Sequence, residues 1–259
     1  MKVRHQEAFG TPHRHYHVTD STNTRARELV EAGAPGGAVV TAREQTAGRG
    51  RQGRVWTAPE GKALLYSAIL RPLDERHLLL PLSVPLAVCA AAEALRPGVE
   101  CKVKWPNDVW LEGHKLSGIL IEAKPQDGWA VIGVGLNLSI APEEFPADLR
   151  QPAVSLFAPA TEPRGGSRRS LPAVAPPGPP PSPSTAAVVL SSHLDYWVCA
   201  GEDEILTEWR SRDGLRGREI SWEDGSGVAD GIDDRGNLVV AVGGGSRVSL
   251  GAGEVQLRI

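Results

Sequence analysis

The sequence predicts an α+β fold in which a main unit of strands and helices, residues 1–212, carries a small all-β appendage, residues 213–259. Three observations predict it. Apolar runs of strand length alternate with stretches of helical periodicity up to about residue 212, and from Gly217 onward the texture changes to short β-type runs between turn signals. The length, 259 residues, lies where single hydrophobic cores stop growing.

The elements follow in order. Ser21 or Thr22 can cap a helix whose Ala26, Leu29 and Val30 recur at helical spacing, with Gly33 as a stop. Residues 37–42 (GAVVTA) and 63–70 (ALLYSAIL) read as strands. The Ala-rich stretch 82–96 reads as a helix with Pro85 in its first turn. Strand-like runs recur at 101–104, 114–123 and 129–138. Residues 186–212 read as helical, with Val189, Leu194, Trp197 and Val198 on one stripe and Ile205, Leu206 and Trp209 on another. The runs REISW, GVADGI, NLVVAV, RVSL and EVQLRI, broken at Asp224-Gly225 and Arg235-Gly236-Asn237, then form a small antiparallel sheet or barrel. With fewer than 50 residues, this appendage has little core of its own and is expected to pack on the main unit. It holds no lysine, so it is not expected to carry the chemistry.

Between these parts, residues 159–183 hold nine of the 21 prolines and no hydrophobic periodicity, which reads as a loop or disordered insertion. Its Arg164, Arg168 and Arg169 are read as solvated charges.

Composition excludes several classes. Hydrophobic residues make up 41% and charged residues 23%, an ordinary globular balance, and 28 basic against 31 acidic residues leave a net charge of −3. Bulk nucleic-acid binding is not expected from such a chain. Cys89, Cys101 and Cys199 are odd in number and far apart, so neither a disulfide framework nor a CxxC metal site is available. No signal-like segment or membrane-length apolar run occurs, and a cytoplasmic protein with no membrane partner is expected. His5, His13, His15 and His17 suggest a metal site, but no carboxylate or cysteine accompanies them, and HRHYH is read as an exposed strand face.

Three segments carry chemistry. In QTAGRGRQGRVW (45–56), Gly48, Gly50 and Gly53 alternate with Arg49, Arg51 and Arg54 and end at Trp56. Glycines let backbone approach a ligand, and arginines offer forked donors to phosphate or carboxylate. The loop fits neither the dinucleotide fingerprint nor a P-loop, and taken alone it reads equally as a plain arginine–glycine surface loop. In KWPNDVWLEGHKLSG (104–118), Asn107 and Asp108 sit at the apex of a proline turn, flanked by Lys104 and Lys115 beside apolar residues. Lysines seldom sit inside apolar strands without an anionic partner. Asp108 could serve one of them, leaving the other for a ligand. In VIGVGLNLS (131–139), Gly133 and Gly135 interrupt a buried strand ending at Asn137, which suits close approach of a ligand or equally of another backbone.

The segments GRGRQGR, KWPNDVW, KLSGIL and GVGLNL, in that order and preceded by Ser21-Thr22-Asn23, closely resemble the biotin protein ligases. The resemblance is strong over residues 15–140 and loose over the C-terminal unit. It implies a mixed sheet flanked by helices, of the class II synthetase or biotin–lipoate ligase type, with a C-terminal SH3-like β-barrel. The implied activity is ATP-dependent formation of biotinyl-5'-AMP and transfer of biotin to a lysine of a carrier domain of acetyl-CoA carboxylase or a related carboxylase. ATP, Mg2+ and biotin are the implied small partners, no metal ligand is assigned, and a homodimer is compatible.

The same resemblance implies roles for individual residues. Ser21, Thr22, Asn23, Gln45, Gly48, Arg49, Lys115 and Gly118 would hold biotin. Arg49, Arg51, Arg54, Trp56, Lys104, Asn107 and Asn137 would hold the nucleotide. Lys115 and Arg51 would act at the reacting centre. Separately from the resemblance, Asp108, in the turn between the two lysine-bearing segments, is the candidate to receive the acceptor lysine's proton, the alternative being that it only caps the turn or pairs with Lys104. The stretch before Tyr16 is too short for the winged-helix DNA-binding domain of some members, so no repressor role is expected. The alternatives are a lipoate ligase or transferase, which shares the fold, and a non-catalytic biotin or adenylate sensor. Retention of Lys115 and the three loop arginines argues against the sensor.

Overall fold

The computed structural model describes residues 8–149, 151–157, 178–251 and 255–257. Its centre is a seven-stranded mixed sheet of β1 (His13–Thr19), β2 (Val39–Gln45), β3 (Ala63–Leu70), β4 (Cys101–Lys104), β5 (Asp108–Leu111), β6 (His114–Lys124) and β7 (Trp129–Asn137), in the order β1-β2-β3-β7-β6-β5-β4. Only β1 and β2 pair in parallel. The two middle strands, β3 and β7, are buried along their whole length, and such strands read as continuous apolar runs instead of alternating ones. They pair from Ala63 opposite Asn137 to Leu70 opposite Ala130.

The two faces are covered differently. Leu64, Tyr66, Ala68 and Leu70 of β3 join the main core with α2 (Leu80–Leu95), α3 (Pro183–Trp197) and α4 (Glu202–Ser211). Ile69, with Val40 and Val131, instead packs on Ala26 and Val30 of α1 (Thr22–Glu31). Side chains two apart on a strand share a face, so one strand feeds both layers. Ser21 occupies the N-cap position of α1 in extended backbone but makes no side-chain cap hydrogen bond, while Gly33 at φ +92° follows the helix as the stop signal predicts.

Three expectations are corrected. The Ala-rich helix begins at Leu80, so Pro81 takes the first turn and Pro85 lies one turn further in, where it lacks the N–H that would bond the Pro81 carbonyl. The stretch 186–212 is two helices, because the chain breaks after Trp197 and restarts at Glu202 behind Gly201. Asp108 does not sit at a turn apex but begins β5, paired with Lys104 on one side and Gly118 on the other. Of the proline-rich stretch, residues 178–182 carry no helix or strand and lead into Ser182, which caps α3 by accepting from Thr185 N–H at 3.1 Å; residues 159–177 lie outside the described residues.

The histidine strand is β1, at the sheet edge. His13 and His15 both reach Thr41 Oγ1, at 2.8 and 2.9 Å, and no group of three potential metal ligands occurs among the described residues; His5 lies outside them.

The C-terminal strands β8 (Glu219–Trp222), β9 (Gly225–Ile232), β10 (Leu238–Ala241), β11 (Arg247–Leu250) and β12 (Gln256–Leu257) form an antiparallel sheet in the order β11-β10-β9-β8-β12. It is open among the described residues, where a closed barrel was expected. Ile220, Ala229, Leu238 and Val240 join the main core, so the appendage packs as anticipated. Near the junction, Arg212 ties α4 to α2 through Glu208 and Glu93, each at 2.6 Å.

No helix among the described residues is long and apolar enough to cross a membrane.

Candidate active site

A cavity of about 440 Å3 opens where the N-terminus of α1, the 49–57 loop, β6, β7 and the segment 145–153 converge. These segments are distant in sequence and meet because β6 and β7 lie between the β2 side of the sheet and β5.

One end is neutral and polar. Thr22 donates to Gln45 Oε1 from both its backbone N–H, at 2.7 Å, and its hydroxyl, at 3.0 Å. Beneath them Ser67 Oγ lies 2.8 Å from Thr22 Oγ1 and 2.6 Å from Asn23 Oδ1, and Asn23 donates to Glu122 at 2.8 Å. Asn23 is thus a buried brace for Thr22 rather than a free donor. Gly133 permits this, since a Cβ there would stand 2.1 Å from Asn23 Oδ1. Ser67 and Glu122 escape a sequence reading: Ser67 is a small polar residue inside an apolar strand, and Glu122 merely follows the apolar run Ile119–Ile121 in a strand that also holds His114, Lys115, Ser117 and Lys124.

Trp56 crosses the floor. A Cβ on Gly135 would meet its indole at 2.3 Å and one on Gly118 at 2.9 Å, so these two glycines on adjacent strands form a flat seat for an aromatic ring. The indole N–H is buried without a hydrogen-bond partner. Gly48 does not line the cavity; it lets the loop fold back, with Trp56 N–H donating to its carbonyl at 2.9 Å and no room for a side chain. The loop is a narrow hairpin closed by the Arg49–Val55 bridge and the Gly50 N–H to Arg54 carbonyl bond of 2.7 Å.

The other end is cationic. Arg49, Arg51, Arg54 and Lys115 line the cavity, and Asp148 is the sole carboxylate among its described lining residues. Arg49 is held by Glu122 at 3.0 Å. Arg51 has no hydrogen-bond or ion-pair partner for its guanidinium among the described residues, and partial burial pulls its pKa down against the opposing effect of Asp108. An unpaired, half-buried cation is costly unless an anion completes it. Lys115 Nζ lies 2.7 Å from Asp108 Oδ1 and 5.8 Å from the Trp56 ring centre.

Asp108 is 5% exposed and is not among the described lining residues; it bears on the cavity through its pair with Lys115 and its charge near Arg51. Lys104, expected to face the nucleotide, is likewise 5% exposed and lines no described cavity. Desolvation lowers its pKa to about 8, against the opposing pull of Asp108. Asn107 and Asn137 do line the cavity, yet their amides hold backbone: Asn107 donates to Ile119 O at 2.8 Å and Asn137 to Val154 O at 3.0 Å. Ser21, Thr22, Asn23, Gln45, Arg49, Trp56 and Gly118 line the cavity.

The chain matches the Biotin/lipoate A/B protein ligase family over residues 16–138 and the Biotin protein ligase C terminal domain over residues 217–258. It is 33% identical over 244 residues to the biotin--[acetyl-CoA-carboxylase] ligase of Paracoccus denitrificans, covering 89% of this chain and 94% of that one. It belongs to the biotin protein ligase family. The bifunctional ligase/repressor BirA of Bacillus subtilis (strain 168) is 40% identical over 154 residues, a match spanning 57% of this chain and 47%, about half, of the relative. Among solved structures, the biotin protein ligase from Aquifex aeolicus in complex with biotin and ATP superposes with a TM-score of 0.76 at 25% identity, covering 96% of this chain and 99% of that one. In this family member the cavity joins a neutral polar end to a cationic end across a glycine-floored aromatic seat.

Proposed function

We propose that this chain is an ATP-dependent biotin protein ligase that forms biotinyl-5'-AMP and transfers the biotinyl group to a lysine of a carrier domain of a biotin-dependent carboxylase. The observation that carries the reading is the cavity's polarity, four cations facing one carboxylate at one end and the Thr22–Gln45 pair at the other. Biotin has the same polarity, a neutral ureido ring and an anionic carboxylate. Thr22, Gln45 and Ser21 receive the ring, Gly118 leaves room beside it, and the carboxylate points toward Arg49 and Lys115.

The first step brings the biotin carboxylate onto the α-phosphorus of ATP. A C–O–P bond forms, the bond from the α-phosphorus to the bridging oxygen breaks, and pyrophosphate departs with the electron pair. Two anions must approach each other, and preorganised cations lower that barrier most where water is excluded. Lys115, fixed by Asp108, and Arg51 and Arg54 are placed to do so. Trp56 and the side of the cavity near Asn107 and Asn137 take the adenosine. A bound Mg2+ would supply charge neutralisation on the leaving phosphates, and the residues present fit it, because Mg2+ is commonly bound through phosphates and one or two carboxylates. Asp148 is the cavity-lining candidate for that contact.

In the second step the acceptor lysine, deprotonated, attacks the mixed anhydride and releases AMP. We read the C-terminal sheet as the counterpart of the family's SH3-like barrel, the division between units as falling at 212/213, and the working compartment as the cytoplasm. Incubation with labelled ATP and biotin tests the reading: an adenylate should form only with biotin, and a carrier domain should then acquire biotin on one lysine. Adenylate formation with lipoate in place of biotin would instead make it a lipoate ligase.

A further inference from the structure

Arg49 lines the cavity with Arg51, Arg54 and Lys115, yet its guanidinium reaches Glu122 on β6. Nη1 stands 3.0 Å from Glu122 Oε1 and 3.2 Å from Oε2. Glu122 lies seven residues beyond Lys115 on the same strand, roughly 20 Å along it at the usual rise of a β-strand. The pair therefore belongs to the neutral polar end of the cavity, away from the reacting centre.

Three features set this pair apart from an ordinary surface contact. It spans the sheet, because Arg49 follows β2 while Glu122 belongs to β6, with β3 and β7 between them; loop and side chain together bridge those two strands. One carboxylate also serves both sides. The same Oε2 accepts from Asn23 Nδ2 at 2.8 Å, and Asn23, seated against Gly133 of β7 and bonded to Ser67 of β3, is the brace behind Thr22. Finally, Arg27 of α1 comes within 3.9 Å of Oε1, so Glu122 keeps a neighbouring cation when Arg49 lets go. The side chains of Glu122 and Arg49 are 23% and 42% exposed, and an ion pair so wetted is weak and opens readily. A ligand that fills the space beneath expels water and strengthens it.

We propose that Glu122 is a positioning residue for the polar end: with Arg49 it forms a latch across the outer side of that pocket, and through Asn23 it ties the latch to the brace behind Thr22. The inference rests on the reading of the chain as a biotin ligase and narrows the part that Arg49 plays in it. The Arg49 guanidinium retains the ring, and the negative charges of the reaction are left to Lys115, Arg51 and Arg54.

The test uses the full chain, labelled biotin and the variants Glu122→Gln, Arg49→Gln and the two combined. Gln at 122 still accepts from Asn23 Nδ2 but lacks the charge that holds Arg49. Release of labelled biotin into an unlabelled chase should quicken about tenfold in each single variant and no further in the double one, because the two share one contact. The KM for biotin should rise in step while kcat and the KM for ATP hold. Without any ligand, trypsin should cut between Arg49 and Arg54 faster in Glu122→Gln than in the parent. Parental biotin release or parental cleavage in Glu122→Gln overturns the proposal, as do losses that add in the double variant. A fall in kcat at saturating biotin confined to Arg49→Gln also overturns it and returns that guanidinium to the reacting centre. If cleavage and biotin release respond as expected but no adenylate forms, the latch stands and the reading of the activity fails.

Discussion

Lys115 Nζ and Asp108 Oδ1 are 2.7 Å apart, joining β6 to the first residue of β5 where the bulge between Val109 and Trp110 lets the long lysine reach forward. The pair makes Asp108 a positioning residue for the cation at the reacting centre. Lys115→Ala should therefore abolish detectable adenylate formation in a folded chain, and Arg at this position should restore little, because a planar fork cannot replace a point charge seated against Asp108. Radiolabelled adenylate synthesis, with circular dichroism as the folding control, measures both.

Asp108→Asn keeps the shape and removes the charge. Because the carboxylate orients Lys115, the substitution should slow adenylate formation by about tenfold, the loss expected when one charge-assisted hydrogen bond is weakened. If only transfer to the carrier slowed, with the deficit shrinking as pH rises, Asp108 would be acting on the acceptor lysine's proton instead.

Lys104 gives a pH signature. Its pKa is about 8 in the folded chain against an ordinary value of 10.5, so between these values the unfolded chain binds more protons and stability rises with pH. Below pH 8 the buried charge carries its full cost, on the order of 3 kcal/mol for such a shift. Lys104→Met should raise the melting temperature at pH 7 and flatten the rise between pH 8 and 10. Loss of ATP affinity in that variant would restore Lys104 to the nucleotide site.

Gly133→Ala should disturb the polar end specifically. The added methyl would strike Asn23 Oδ1, and displacing Asn23 loosens Thr22 through Ser67. Biotin affinity should fall more than tenfold while ATP affinity holds, as isothermal calorimetry would report. Gly135→Ala, which meets the Trp56 ring, should weaken both.

Arg212→Met should cost about 2–4 kcal/mol in urea unfolding, since it leaves Glu93 and Glu208 without the guanidinium that both face at 2.6 Å.

Much of the site could be read from the sequence because its chemistry sits in short, unusual strings. Glycines beside arginines, and Lys115 inside a β-type run, conflict with ordinary local preferences, and such conflicts mark function. What stayed hidden depends on contacts between distant segments. Ser67 and Glu122 acquire meaning only once β3 and β6 bring them against Asn23. Lys104 and Lys115 look alike in sequence, and strand register decides that one is buried and the other faces the cavity. Apolar spacing that runs on through Trp197 and Val198 hides the break between α3 and α4, and Gly201, a helix N-cap, is the sign of it in the sequence.

The strand order has a kinetic meaning as well. Residues 21–23 and 45–56 come from the β1–β2–β3 side of the sheet, while 115–118 comes from the β4–β5–β6 side, and β7, the last strand of the sheet to be synthesised, is inserted between them. Contacts of such sequence separation form late and slowly because loop closure precedes any reward. No ligand cavity can exist until that strand is seated, so ligand capture by a newly made chain is a reporter that its central sheet is complete.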